Sequence, residues 1–175
     1  MGKRSDFKRE TLDFYPTPMG AVSPLLPHLP PRSRYCEPCA GAGDLIGHLA
    51  KHGHECVSAF DVAPRASGIG CNDASFMQRE DLCGADLIIT NPPWDRPVLH
   101  QIIQRAVFLV PTWLLFDSDW MHTRQAIPYL RHCSMVVSVG RVKWIEGSAM
   151  AGKDNCCWYK FDPDHSGRTI FVGRQ

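Results

Sequence analysis

Apolar residues in this chain fall in short runs broken by glycine, proline and acidic residues, and their spacing alternates between strand and helix periods. The first strand candidate, Arg34–Glu37, is brief. After a glycine-rich stretch, Leu45, Ile46 and Leu49 recur at helical spacing, and Gly53 reads as the stop. Residues 55–61 (ECVSAFD) read as a second strand ending on Asp61, and residues 62–77 as loop. ADLIITN, residues 85–91, is nearly continuously apolar, as in the interior of a parallel sheet. Residues 97–106 fit a helix, with AVFLV (106–110) as the strand after it. A helix is expected over 118–127, strands over 132–140 and 156–162, and an edge strand or surface segment after residue 165. Upstream, residues 11–33 are proline-rich; a short helix fits within 19–26, limited by Pro24. Strands alternating with helices, without a repeat, predict one α/β domain over 11–175. Its sheet is open, mostly parallel and twisted, with helices on both faces. Ligands in such sheets collect beyond the carboxyl ends of the strands.

Charge narrows the reading little. Of 175 residues, 19 are Lys or Arg and 18 Asp or Glu, so the formal net charge of +1 gives no global pull toward nucleic acid or membrane. The first ten residues are the local exception, with Lys3, Arg4, Lys8 and Arg9 against Asp6 and Glu10. They read as a flexible basic terminus or as a phosphate-contacting arm. The 8 cysteines are not arranged as a disulfide framework, which points to a reducing cytoplasm. Cys36 and Cys39 form a CxxC pair, but no second pair or His cluster accompanies it, so no metal is expected. No apolar run is long enough to cross a bilayer.

Two constellations carry the chemistry. In EPCAGAGD, Glu37 ends a strand and Gly41 and Gly43 form a tight turn into a helix. Glycine there lets the backbone approach a ligand, and the helix start presents free amides. The pattern is not GxGxxG, and by itself it also suits an ordinary loop. Asp61, at the next strand end, is placed to accept from two ribose hydroxyls. Asp73 is placed to accept from an exocyclic amine, and Phe76 to pack on the base that carries it. Together they describe an adenosine-containing ligand, without separating NAD from S-adenosylmethionine.

The second constellation is Asn91-Pro92-Pro93-Trp94. The prolines make the segment rigid and aim its carbonyls. The Asn91 side-chain oxygen and the Pro92 carbonyl can both accept from one –NH₂ group, with Trp94 stacked on the ring that bears it. An adenine, a cytosine or a planar carboxamide would fit. An aromatic amine is a poor nucleophile because its lone pair is delocalised. Two acceptors on its hydrogens raise its electron density and hold it toward an electrophile.

With these residues in place, the chain resembles the amino-methyltransferases that use S-adenosylmethionine, most closely the small phage-type DNA N6-adenine methyltransferases. Asn91, Pro92, Pro93 and Trp94 match that family's (D/N/S)PP(Y/F/W) motif, EPCAGAGDL its cofactor loop, and DFYPTP (13–18) its upstream element. PTWLL, VKWIEG and WYKF also look like it, so the resemblance runs from about 11 to 161. It implies a Rossmann-like methyltransferase fold with a late antiparallel strand, S-adenosylmethionine as cofactor and DNA as partner. It places Phe14, Tyr15, Thr17, Pro18, Glu37, Pro38, Ala40, Gly41, Gly43, Asp61, Asp73 and Phe76 around the cofactor. Candidate substrate contacts are Arg96, Trp113, Arg124, Arg141, Lys143 and Trp144. The chain has no room for the separate target-recognition domain of larger members, so a homodimer or the loops at 95–100, 111–124 and 141–155 would supply specificity. Asn in the motif's first position is compatible with it, and moves the pattern toward RNA-adenine and protein-glutamine methyltransferases. Those activities are the alternatives, together with a catalytically silent nucleic-acid-binding subunit. An NAD-linked oxidoreductase would leave Asn91–Trp94 unexplained.

Overall fold

A computed structural model describes residues 14–145 and 152–174; the basic segment 1–10 and part of the 141–155 loop lie outside them. The elements are α1 (Met19–Val22), β1 (Arg34–Glu37), α2 (Asp44–Ala50), β2 (Glu55–Asp61), β3 (Gly70–Cys71), β4 (Leu87–Thr90), α3 (Arg96–Ala106), β5 (Thr112–Asp117), α4 (Ile127–Leu130), β6 (Cys133–Arg141), β7 (Asn155–Phe161) and β8 (Ile170–Val172). The strands form one sheet in the order β3-β2-β1-β4-β5-β7-β6-β8. Neighbours are parallel except at β7, which is antiparallel to both β5 and β6.

Side chains alternate across the sheet, and each face has its own cover. Tyr35, Leu87, Ile89, Trp113 and Leu115 face one way and bury Ala21, Val22 and Leu25 together with Leu45 and Leu49 of α2. Cys36 and Ile88 face the other way with Ile102 and Ala106 of α3. Leu114 and Phe116 share that side with Leu99 and Ile103. Strands covered on both faces have no polar period, which is why β4 and most of β5 are buried at every position. A buried bond fastens the N-terminal segment to the sheet: the Trp158 indole N–H donates to the Ala21 carbonyl at 2.7 Å.

The expected strand at AVFLV is not there. Ala106 closes α3, and the Val107 N–H still donates to the Ile103 carbonyl at 3.0 Å. The strand begins only after Pro111, whose carbonyl accepts from Ile88 N–H. The apolar run was ambiguous because Ile102, Ile103 and Ala106 continue a helical stripe straight into it. The single helix expected over 118–127 is two 3₁₀ turns, Ser118–His122 and Arg124–Ala126, followed by α4. Asp117 caps the first, its carboxylate accepting from Asp119 N–H at 2.8 Å. The two-residue β3 lies inside the stretch read as loop. The C-terminal stretch takes the edge-strand option, with β8 parallel to β6.

Trp158→Phe keeps an aromatic ring in the core, though a smaller one, and removes the bond to Ala21. It is expected to lower stability by about 1–3 kcal/mol in denaturant titration, with the slope unchanged.

Candidate functional site

The carboxyl ends of β1, β2, β3 and β4 open on one edge of the sheet, and a cavity of about 480 Å³ lies there. Loops after these strands form its walls, with Phe14, Tyr15 and Thr17 from the N-terminal segment and Val98, Gln101 and Ile102 from α3. Residues of both sequence constellations and Phe14–Thr17 of the upstream element therefore meet in one place.

Asp61 organises the glycine-loop side. One carboxylate oxygen accepts from Gly41 N–H and the other from Ala63 N–H, each at 2.8 Å. Gly41 has φ +53°, and a Cβ on it would stand 2.6 Å from the Phe14 ring. The absent side chain thus lets Phe14 seat on the loop. The Arg65 guanidinium lies over that ring, 3.5 Å from its centroid. Gly43, with φ +86°, starts α2.

Glu37 is 2 % exposed, and its Oε2 has no hydrogen-bond partner. Burial pushes its carboxyl well above the ordinary carboxylate range, with Asp44 and Asp61 adding repulsion. A buried acid with a free acceptor in a cavity wall is suited to receive a cationic or hydrogen-bonding ligand group. Asp73 also lines the cavity while its Oδ1 accepts from Ser75 N–H at 2.8 Å.

Asn91 follows β4 directly. Its amide nitrogen donates to the Thr17 hydroxyl at 3.2 Å. Its amide oxygen faces the Trp94 indole N–H at 3.4 Å, and that N–H also reaches the Leu115 carbonyl at 3.2 Å. Nitrogen on Thr17 and oxygen on Trp94 set the amide's orientation. Trp94 meets Trp144 edge-to-face at 5.7 Å, and Trp144 lies 6.4 Å from Tyr15. These rings make an aromatic corner beside Asn91.

The remaining expected residues fall in several places. Pro38, Ala40 and Pro93 line the cavity; Pro18 caps α1, and Pro92 is buried. Phe76 is 67 % exposed, outside the wall made by Asp73, Ala74 and Ser75. Trp113, expected at the substrate, is 1 % exposed in the core beneath α1 and α2, so it does not reach a substrate; β5 is covered on both faces, and Trp113 lies on the face that α1 and α2 cover. Arg96 pairs with Asp117 at the end of β5. Arg124 is exposed on the connection after β5, Arg141 at the end of β6 and Lys143 just beyond it. His100, for which no partner was legible in sequence, accepts from Trp120 N–H at 3.0 Å. Sequence reasoning missed the α3 wall, although Val98, Gln101 and Ile102 stand at i, i+3 and i+4. Among the described residues no group of three His, Cys, Asp or Glu side chains is placed to hold a metal ion, and no helix is long and apolar enough to cross a membrane.

No protein-family model and no curated protein matches the sequence. Solved structures match its fold at low identity. A candidate RNA methyltransferase of Pyrococcus horikoshii has a TM-score of 0.56 and 16% identity, with 91% of this chain and 92% of that one covered. A candidate hemolysin of Lactococcus lactis has a TM-score of 0.65 and 9% identity, with coverage of 91% and 94%. The M protein of the type I restriction enzyme EcoKI has a TM-score of 0.54 and 12% identity, covering 90% of this chain and 47% of that one. The chain has the Rossmann-like fold of S-adenosylmethionine-dependent methyltransferases: a mostly parallel sheet with flanking helices. Likeness at these identities speaks for the fold, and function must be argued from the site.

Gly41→Ala puts a methyl group into the Phe14 ring and strains a positive φ. It is expected to weaken nucleoside-ligand binding at least about tenfold in calorimetry, with partial recovery when Phe14→Ala is added. Glu37 has a raised folded pKa, so its stabilising contribution is complete below its unfolded value near 4.5 and is lost as pH rises through the folded one. Glu37→Gln should therefore gain stability relative to the wild type as pH rises from that value, in ligand-free denaturant titrations at a series of pH.

Proposed function

We propose that this protein transfers a methyl group from S-adenosylmethionine to the N6 amine of adenine in DNA. The observation that carries the reading is the position of Asn91: rigid after β4, bonded to Thr17 and flanked by Trp94, at the wall of the cavity that holds the unpartnered Glu37.

The residues suit the cofactor. The cavity volume of about 480 Å³ is in the range of small-molecule sites. The Glu37 carboxylate has a free acceptor for an ammonium group. Each Asp61 oxygen already takes one backbone N–H and keeps lone pairs for ribose hydroxyls. Asp73 is placed for an adenine amine. The bound cofactor supplies an electrophilic methyl on a sulfonium.

Asn91 and the Pro92 carbonyl then act on the target amine. Both accept its hydrogens, which polarises the nitrogen and fixes its direction. Thr17 holds the Asn91 nitrogen, and so keeps the oxygen turned to the acceptor role. A duplex adenine must leave the stack to reach this position. The aromatic corner of Trp94, Trp144 and Tyr15 offers a flat surface for a base, which favours a nucleobase over a small amide. The upstream DFYPTP resemblance favours DNA over RNA.

Labelled methyl transfer to unmodified DNA, RNA and protein in parallel, with nucleoside analysis, tests this. The expected product is N6-methyladenine in DNA. Asn91→Ala should lower kcat by roughly 10²–10³-fold with the cofactor Kd nearly unchanged. Label in RNA or in glutamine would move the substrate, and cofactor binding without any transfer would make the chain a silent subunit.

A further inference from the structure

Charge is distributed unevenly along the edge that carries the site. Glu37, Asp44, Asp61, Asp73 and Asp95 line the cavity, with Arg65 as the opposing cation. The other half of the edge is basic. Because β7 is antiparallel to both β5 and β6, and β8 is parallel to β6, strands β6 and β8 end on the same edge as β4 and Asn91. At those ends stand Arg141, Lys143, Lys153 and Arg174, all exposed, with Asp154 as the acidic residue among the described positions of 140–145, 152–155 and 172–174.

The contacts draw these residues together. The Arg174 guanidinium lies over Gly140, where a Cβ would stand 3.1 Å from its Nη1. Gly140 has φ +86° at an irregular step of β6, so a side chain is disfavoured there twice over. Gly152 N–H donates to the Val142 carbonyl at 2.7 Å, which ties the stretch carrying Lys153 to the one carrying Arg141 and Lys143. Gly152 also packs on Trp144, and Trp144 on Trp94. The cations thus border the aromatic corner on the side away from the acidic cavity.

We infer that Arg141, Lys143 and Arg174 hold the phosphate backbone of the target strand, so that the substrate runs along the ends of β6 and β8 and presents its base at Trp144 and Trp94. The inference rests on the nucleic-acid reading above and adds to it a direction and a residue, Arg174, that belongs to none of its motifs. Phosphate contacts position a nucleic acid without reading its sequence. A polyanion is repelled from the acidic cavity and attracted to the basic strand ends, so the two halves of one edge sort cationic cofactor from anionic substrate. Arg96, tied to Asp117, has no part in the track.

The test is binding of a labelled oligonucleotide across a salt titration, with S-adenosylmethionine present, alongside methylation kinetics. Arg141→Gln, Lys143→Gln and Arg174→Gln should each reduce the salt slope by about 0.7–0.9 and weaken binding similarly on unrelated sequences. KM for the oligonucleotide should rise while kcat at saturation holds. Arg131→Gln, at the opposite end of β6, should behave as wild type. A triple variant that keeps the wild-type slope and KM would overturn the track and leave the nucleic-acid reading intact. A wild-type protein that methylates only protein, and binds no oligonucleotide, would sink both.

Discussion

The carboxylate of Asp61 reaches back from the end of β2 to the amide of Gly41, and the rest of the site is arranged around that bond. It draws the loop after β1 against the loop after β2 and leaves Gly41 at a positive φ. With no side chain on Gly41, Phe14 can lie on the loop, covered by Arg65. Once Phe14 is seated, the next few residues of the N-terminal segment run past the cavity, and Thr17 meets Asn91. The acid, the glycine, the upstream aromatic and the asparagine are far apart in sequence. Physically they form one chain of contacts, in which each link sets the position of the next.

The site also carries a local conflict. Glu37 is buried beside Asp44 and Asp61, and one of its oxygens has no partner. Such a group destabilises its charged form until something polar or cationic meets it. Proteins usually confine such violations to working positions. The surrounding structure is rigid by contrast: β1 and β4 are buried on both faces, and Trp158 bonds the α1 segment to the sheet. A stiff platform beneath a loop cluster suits an arrangement that works by positioning rather than by strong acid–base chemistry.

The five tryptophans show how tertiary context divides one residue type among different tasks. Trp113, Trp120 and Trp158 are fully buried. Trp94 and Trp144 are half-buried and meet edge-to-face at the site. Composition cannot separate these groups. Position in the sheet can, since β5 is covered on both faces and Trp113 lies on the face that α1 and α2 cover.

Much was legible in the sequence because it depended on local rules. The bounds of β1 and β2, the helix start at the glycine turn, the α/β class and the stiffness at Pro92 and Pro93 follow from period, punctuation and backbone restriction among near neighbours. The same rules misled at AVFLV, where a helical stripe and an apolar strand look alike over a few residues. Only the tertiary structure decided which side chains meet. It paired Asn91 with Thr17, laid Phe14 on Gly41, left the Glu37 Oε2 without a partner, and carried β6 and β8 to the edge that holds the site. Sheet order and crossover connections make those contacts, and they join residues too distant along the chain for any local pattern to record.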